Sequence, residues 1–253
     1  MNKKVILGGL AGILIIVVLG FAYVLRPTEE ASESIEAIPL NEGVQEPTQV
    51  DLPTEVLEEE PTEVVGEANK DSSPEGFVVF QIDQGNSEVR FSLDELLRGN
   101  PFTPVGTTNQ VAGEIGIDFS DPSASQLGTV LINARTLETD SSNRDRAIKN
   151  QILDTGDFEF ISFTPTNLTG FLPEIVLGEE VQLKITGDLT IRDITNSVIF
   201  DVNVTVISGT EIQGYGSAEV LRSDYNLNIP SVPSVAEVTN EVLLEIDFFA
   251  VAN

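Results

Sequence analysis

From Gly76 onward, apolar and polar residues alternate with a period of two. Val181, Leu183, Ile185, Gly187, Leu189 and Ile191 interleave with Gln182, Lys184, Thr186, Asp188, Thr190 and Arg192. That pattern marks a strand with one dry face and one wet face. The alternation returns in Val89, Phe91 and Leu93; in Val111, Gly113, Ile115, Ile117 and Phe119; in Val198, Phe200, Val202, Val204 and Val206; and in Val242, Leu244, Ile246, Phe248 and Ala250. Ser120-Asp121-Pro122, Gly178-Glu179-Glu180 and Ser208-Gly209-Thr210 punctuate these runs as turns, so neighbouring strands should be antiparallel. The pattern predicts an all-β domain over residues 76–253, a barrel or a sandwich.

One segment breaks the period. Ser142-Asn143-Arg144-Asp145 resembles a capping box opening a short helix, with Ile148 and Ile152 four apart on one face and Leu153-Asp154-Thr155-Gly156 ending it. Such a helix would lie over one end of a barrel, as packing or as a lid.

The N-terminal sections follow other rules. Val5 to Leu25 gives 21 residues without a charge, enough to cross a hydrocarbon core of about 30 Å as a helix. Lys3 and Lys4 precede it, so residues 1–26 are expected to be a single-pass anchor in the cytoplasmic membrane, N-terminus inside and the remainder extracytoplasmic. Cleavage after Gly20-Phe21-Ala22 would instead give a secreted protein. Residues 27–75 hold one basic residue, Lys70, against 15 acidic ones, with Pro, Thr and Ser between them. That composition predicts a disordered acidic linker.

Composition narrows the chemistry. The 253-residue chain has no Cys, His or Trp, which removes thiol nucleophiles, imidazole bases and the usual zinc ligand sets. A net charge of −28 repels phosphate backbones and anionic lipid surfaces, so nucleic acid is not an expected partner. Asp154, Asp157 and Glu159 could pose as paired carboxylates, but an acidic surface produces such pairs by chance. Asp118, Asp121, Asp140 and Asp145 could offer oxygens to calcium without following the EF-hand spacing. No catalytic residue, metal or cofactor is assigned.

Ile82-Asp83 followed by Ser87-x-Val89-x-Phe91, then Val111-x-Gly113-x-Ile115, the stretch from Thr139 to Phe160 followed by Phe163, GDLTIRDITNSVIFDV from Gly187 to Val202, and Arg222-Ser223-Asp224-Tyr225 succeed one another along the chain. That order of segments resembles the YceI family of bacterial polyisoprenoid-binding proteins. It departs from the family where Gly85-Asn86 and Asp94-Glu95 stand in place of histidines, and where Asp193 and Asn226 replace glycines. The resemblance implies an antiparallel, lipocalin-like eight-stranded barrel with a short capping helix, whose bore takes an apolar chain. Bore candidates are Val89, Phe91, Ile115, Ile117, Phe119, Leu183, Ile185, Val202 and Val204, with Gly113, Gly187, Gly214 and Gly216 leaving room for a ligand. Arg144, Arg146 and Lys149 are the candidate mouth or headgroup contacts.

The expected partners are an isoprenoid lipid, most simply a neutral quinone or prenyl carrier, and the membrane through the N-terminal helix; a homodimer is left open. The alternative is a structural or adhesion module of the cell envelope with a filled core and no lipid.

Overall fold

The computed structural model describes residues 27–32, 35–40 and 76–252. The run from Val5 to Leu25 lies outside the described residues, among which no helix is long and apolar enough to cross a membrane.

Fifteen strands follow in chain order: β1 Phe77–Ile82, β2 Glu88–Ser92, β3 Glu95–Leu97, β4 Asn100–Phe102, β5 Val105–Thr108, β6 Val111–Ala112, β7 Glu114–Asp118, β8 Gln126–Leu127, β9 Val130–Asn133, β10 Phe160–Thr169, β11 Glu180–Ile191, β12 Ile194–Ser208, β13 Glu211–Leu221, β14 Val235–Ala236 and β15 Glu241–Ala252. Twelve of them form one curled antiparallel sheet in the order β6-β9-β10-β11-β12-β13-β15-β1-β7-β8, with β2 added on β15 and β5 on β2. β6 and β7 are separated by Gly113 alone, so the two margins of the curl meet in one segment, where the Ile82 N–H also donates to the Gly113 carbonyl at 3.0 Å. β3, β4 and β14 make a small second sheet.

The long strand β15 carries two short partners end to end. Its Ala250 to Ala252 faces β1, and its Leu243 to Asp247 faces β2. Between β1 and β2 the chain steps out in a turn over Gln84–Asn86, which Asp83 stabilises by accepting from the Gly85 N–H at 2.9 Å. Ser87 then fills the break in the ladder: its hydroxyl donates to the Phe249 carbonyl at 3.2 Å and accepts from the Phe249 N–H at 3.0 Å.

The period-two reading survives in the burial. On β11, Ile185, Gly187, Leu189 and Ile191 are buried, while Gln182, Lys184 and Asp188 are exposed. Phe80, Ile212 and Ala250 have no exposed surface and lie where β1, β15 and β13 pair side by side. Each large side chain so buried contributes about 1.5–3 kcal/mol.

The helix is present as Ser142–Ala147, continuing through a wider turn over Ile148–Ile152. Its start corrects the capping-box expectation. Ser141 occupies the N-cap and makes no side-chain cap bond, and Ser142 is already helical. Asp145 instead reaches back to the loop before the helix, accepting from the Thr139 N–H at 2.7 Å and the Thr139 hydroxyl at 2.6 Å.

The acidic stretch also departs from a featureless linker at its start. Ile35 is buried, the Gln84 amide donates to the Ile35 carbonyl at 2.8 Å, and the Leu40 N–H donates to Glu114 at 2.9 Å. These partners come from distant strands, which periodicity within the stretch cannot reveal.

Candidate functional site

The curled sheet encloses a cavity of about 980 Å³. The strands that build it alternate, so one side chain in two points inward and the wall is dominated by Ile, Leu, Val and Phe. Of the expected bore residues, Val89, Phe91, Ile115, Ile117, Leu183, Ile185, Val202 and Val204 all line it. Phe119 does not: it packs against the core beyond the end of β7, where Asp118 accepts from the Ser120 and Asp121 N–H groups and turns the chain.

The glycines are also corrected. A Cβ on Gly187 would lie 2.5 Å from the Phe163 ring, and one on Gly214 would lie 2.5 Å from the Phe248 ring and 2.5 Å from the Asn203 carbonyl oxygen. Gly113 is closed in by Ile82 and Val130, and Gly216 by Ile246 and Val202. These positions make room for neighbouring side chains of the wall. Phe163 in turn meets Phe200 edge to face at 5.0 Å, and both rings line the cavity. Phe200 was legible from its place in the alternation of β12. The cavity residues Ile229, Pro230 and Val232 were not, because the segment after Tyr225 has no period.

One end of the cavity is polar. Glu95, Arg98 and Asn100 contribute from the β3–β4 hairpin, and Asp140, Ser141, Asn143 and Arg144 from the helix and its approach. The helix therefore lines the cavity as well as covering it, with Ala147, Ile148 and Ile152 supplying its apolar side.

Arg144 is the hinge pin of this end. It donates to the buried Glu95 carboxylate at 3.1 Å, pairs with Asp140, and places its guanidinium 5.4 Å from the Phe102 ring centre. Arg146 and Lys149 are not in the wall, and neither side chain has a polar partner among the described residues. Two other wall arginines are also engaged. Arg222 donates to the carbonyls of Thr239 at 3.0 Å and Leu227 at 3.2 Å, and Arg90 pairs with Glu88 at 3.0 Å and Asp247 at 2.6 Å.

Tyr225 also lines the cavity, with 1% of its surface exposed. Among the described residues its hydroxyl makes no hydrogen bond of standard geometry, although the Asn196 side chain lies close enough to act on it, and burial pushes its pKa up to about 12.

The acidic residues weighed for catalysis or calcium lie elsewhere. Glu159 binds Arg135, Asn133 and Ser32 on the outside of the sheet, and neither Asp154 nor Asp157 lines the cavity. Asp118, Asp121 and Asp145 hold local turns, and Asp140 holds Arg144. Among the described residues, no group of acidic side chains is placed to hold a metal ion.

A curled antiparallel sheet around an apolar cavity, with one short helix in the wall, fits a lipocalin-like fold. Within that class, the model of the YceI-like domain matches residues 80–250, and the chain belongs to this family. A polyisoprenoid binding domain from Saccharophagus degradans, described as implicated in plant cell wall breakdown, superposes with a TM-score of 0.55 at 14% identity, covering 70% of this chain and 99% of that one. BcnA from Burkholderia cenocepacia gives a TM-score of 0.50 at 16% identity, covering 66% of this chain and 98% of its own. No curated protein matches the sequence.

Proposed function

We propose that the protein binds a neutral isoprenoid lipid, of quinone or prenyl-carrier type, in the bore of its curled lipocalin-like sheet, which has twelve strands where eight were expected. The barrel is held on the extracytoplasmic side of the membrane by residues 1–26, and the protein catalyses no reaction. The observation that carries this reading is the cavity of about 980 Å³, walled by aliphatic and phenylalanine side chains. That volume lies at the upper end of ligand sites in general, roughly 300–1,000 Å³. Ten methylene equivalents of an apolar chain would gain about 8 kcal/mol on burial, before ordering costs are subtracted. The polyisoprenoid binding domain from Saccharophagus degradans shares the fold. A structural module with a filled core has no need of such a space.

The polar end favours a neutral ligand. A pyrophosphate needs several free cations, but of the four arginines in the wall Arg144, Arg90 and Arg222 are already spent on carboxylates or backbone carbonyls, which leaves Arg98 alone without a side-chain partner among the described residues.

Ile185 tests the reading directly, being 7% exposed and in the cavity wall. Ile185→Glu puts a carboxylate where the chain should lie, at a cost of several kcal/mol if it stays ionised. The variant should purify with little or no lipid while keeping a β-type spectrum. Undiminished lipid in a folded variant would contradict the proposal.

A further inference from the structure

The first residues after the uncharged run are seated on the barrel. Arg135 gathers them: its guanidinium donates to the Glu30 carbonyl at 3.1 Å, the Thr155 carbonyl at 2.8 Å and the Gly156 carbonyl at 3.1 Å, and pairs with Glu159 at 2.9 Å. Glu159 accepts from both the N–H and the hydroxyl of Ser32, at 2.7 and 2.8 Å. Ile35 is then buried at 9% exposure beside Gln84, and Leu40 ends over Gly128 with its N–H on the buried Glu114 carboxylate. These contacts cross the margin of the sheet, between β7 and β9.

This changes what residues 41–75 connect. Leu40 is held at Glu114, and Gly76 is held close by, its carbonyl accepting from the Phe119 N–H at 3.0 Å and its N–H donating to the Ser120 hydroxyl at 3.2 Å. Both points belong to β7 or the turn that follows it. The span between Arg26 and the clamp at Glu30 is four residue steps, at most about 14 Å. A flexible linker of residues 27–75 would instead separate its ends by roughly 40 Å.

We infer that residues 27–32 and 35–40 are a strap that fixes the barrel against the membrane, with the helix end of the cavity facing the bilayer. The inference rests on the anchor reading of residues 1–26. Arg135 and its partners Thr155 and Gly156 lie next to the helical turn, where the Thr155 N–H donates to the Lys149 carbonyl. On that same helix Arg146 and Lys149 have no partner among the described residues. In a protein whose net charge of −28 repels anionic surfaces as a whole, they are half-buried, unpaired cations close to where the chain must meet the membrane, and lipid phosphates are their local complement, each worth about 1 kcal/mol near such a surface. The partner is therefore the phosphate layer of a lipid bilayer, and the helix end of the cavity faces the layer in which an isoprenoid resides.

The test uses the full chain in vesicles of phosphatidylcholine and phosphatidylglycerol. A protease site in a Gly-Ser insert between Glu59 and Glu60 is cut to completion, and the vesicles are floated in high salt. The strap predicts that most of the barrel fragment floats with the vesicles, and that Ile35→Asp releases it. Release from the wild-type chain on cutting, or retention in Ile35→Asp, would overturn the strap. If the uncut chain itself fails to float, the anchor reading fails and the orientation falls with it.

Because the chain has no Cys, Ser142→Cys and Ser123→Cys can each carry one fluorophore. Lipid-borne quencher should dim the label at 142, at the start of the helix, several-fold more than that at 123. Equal or reversed quenching would contradict the orientation.

Discussion

At the scale of residues, the most informative positions are those where a small side chain meets a large one. Gly187 lies under Phe163, and an added Cβ would come 2.7 Å from the Thr164 carbonyl oxygen as well as 2.5 Å from the ring. Gly187→Ala should therefore destabilise by about 1–3 kcal/mol, seen as a lower thermal midpoint. Gly113→Ala, with only the ends of Ile82 and Val130 at 3.3 Å, should cost clearly less; the reverse order would refute this packing account.

Glu159 supplies a pH prediction. Burial alone would raise its pKa, but the Ser32 N–H and hydroxyl, the Asn133 amide and Arg135 outweigh burial and hold it below the ordinary value of 4.5. A depressed carboxylate stabilises fully above its unfolded pKa and loses that contribution as pH falls through the folded value. Protection of the Ser32 amide from hydrogen exchange should thus hold at neutral pH and fail selectively on acidification below about 4.5; in Glu159→Gln that acid dependence should disappear.

Two departures from the family pattern also find their reasons here. Asn226 sits at φ 50°, in the left-handed region that Asn tolerates better than most side chains. At the β11–β12 hairpin the positive φ, 58°, falls on Arg192. Asp193 therefore replaces glycine without needing its freedom.

At the scale of elements, the sequence disclosed strands far better than their ends. Long β11 and β12 were plain because twelve or more residues keep one period. Phe119 was misplaced because the alternation runs on in the sequence after β7 has stopped, and only the Asp118 turn decides where. The short helix was legible from Ile148 and Ile152, but its cap was not, since Asp145 had two ways to bond and chose the preceding loop.

Arg144 binds this helix to β3, and Glu95 is buried under it with 7% of its side chain exposed. Arg144→Met should cost about 2–4 kcal/mol because it strands a buried carboxylate, whereas Arg144→Met with Glu95→Leu should recover most of the loss. A double-mutant cycle by chemical denaturation measures this, and strict additivity of the two changes would show that the pair does not hold the helix.

At the scale of the molecule, order and spacing of short motifs sufficed for the family, because a curled sheet repeats one local rule many times. The cavity wall was legible to the same extent: eight bore candidates line it, since alternation alone decides which way a strand residue points. The loop after Tyr225 and the seat of residues 27–32 and 35–40 were not legible. Each depends on contacts between segments far apart in sequence, Ser32 with Glu159 and Leu40 with Glu114 among them.

The central claim is that the cavity holds a neutral isoprenoid. Its most direct measurement is solvent extraction of the full chain, purified from a bacterial membrane, followed by mass spectrometry of what the protein releases. The account predicts close to one equivalent of a phosphate-free isoprenoid, quinone or prenol, lost in Ile185→Glu. A folded protein that releases no lipid, or one that releases a prenyl pyrophosphate, would contradict it.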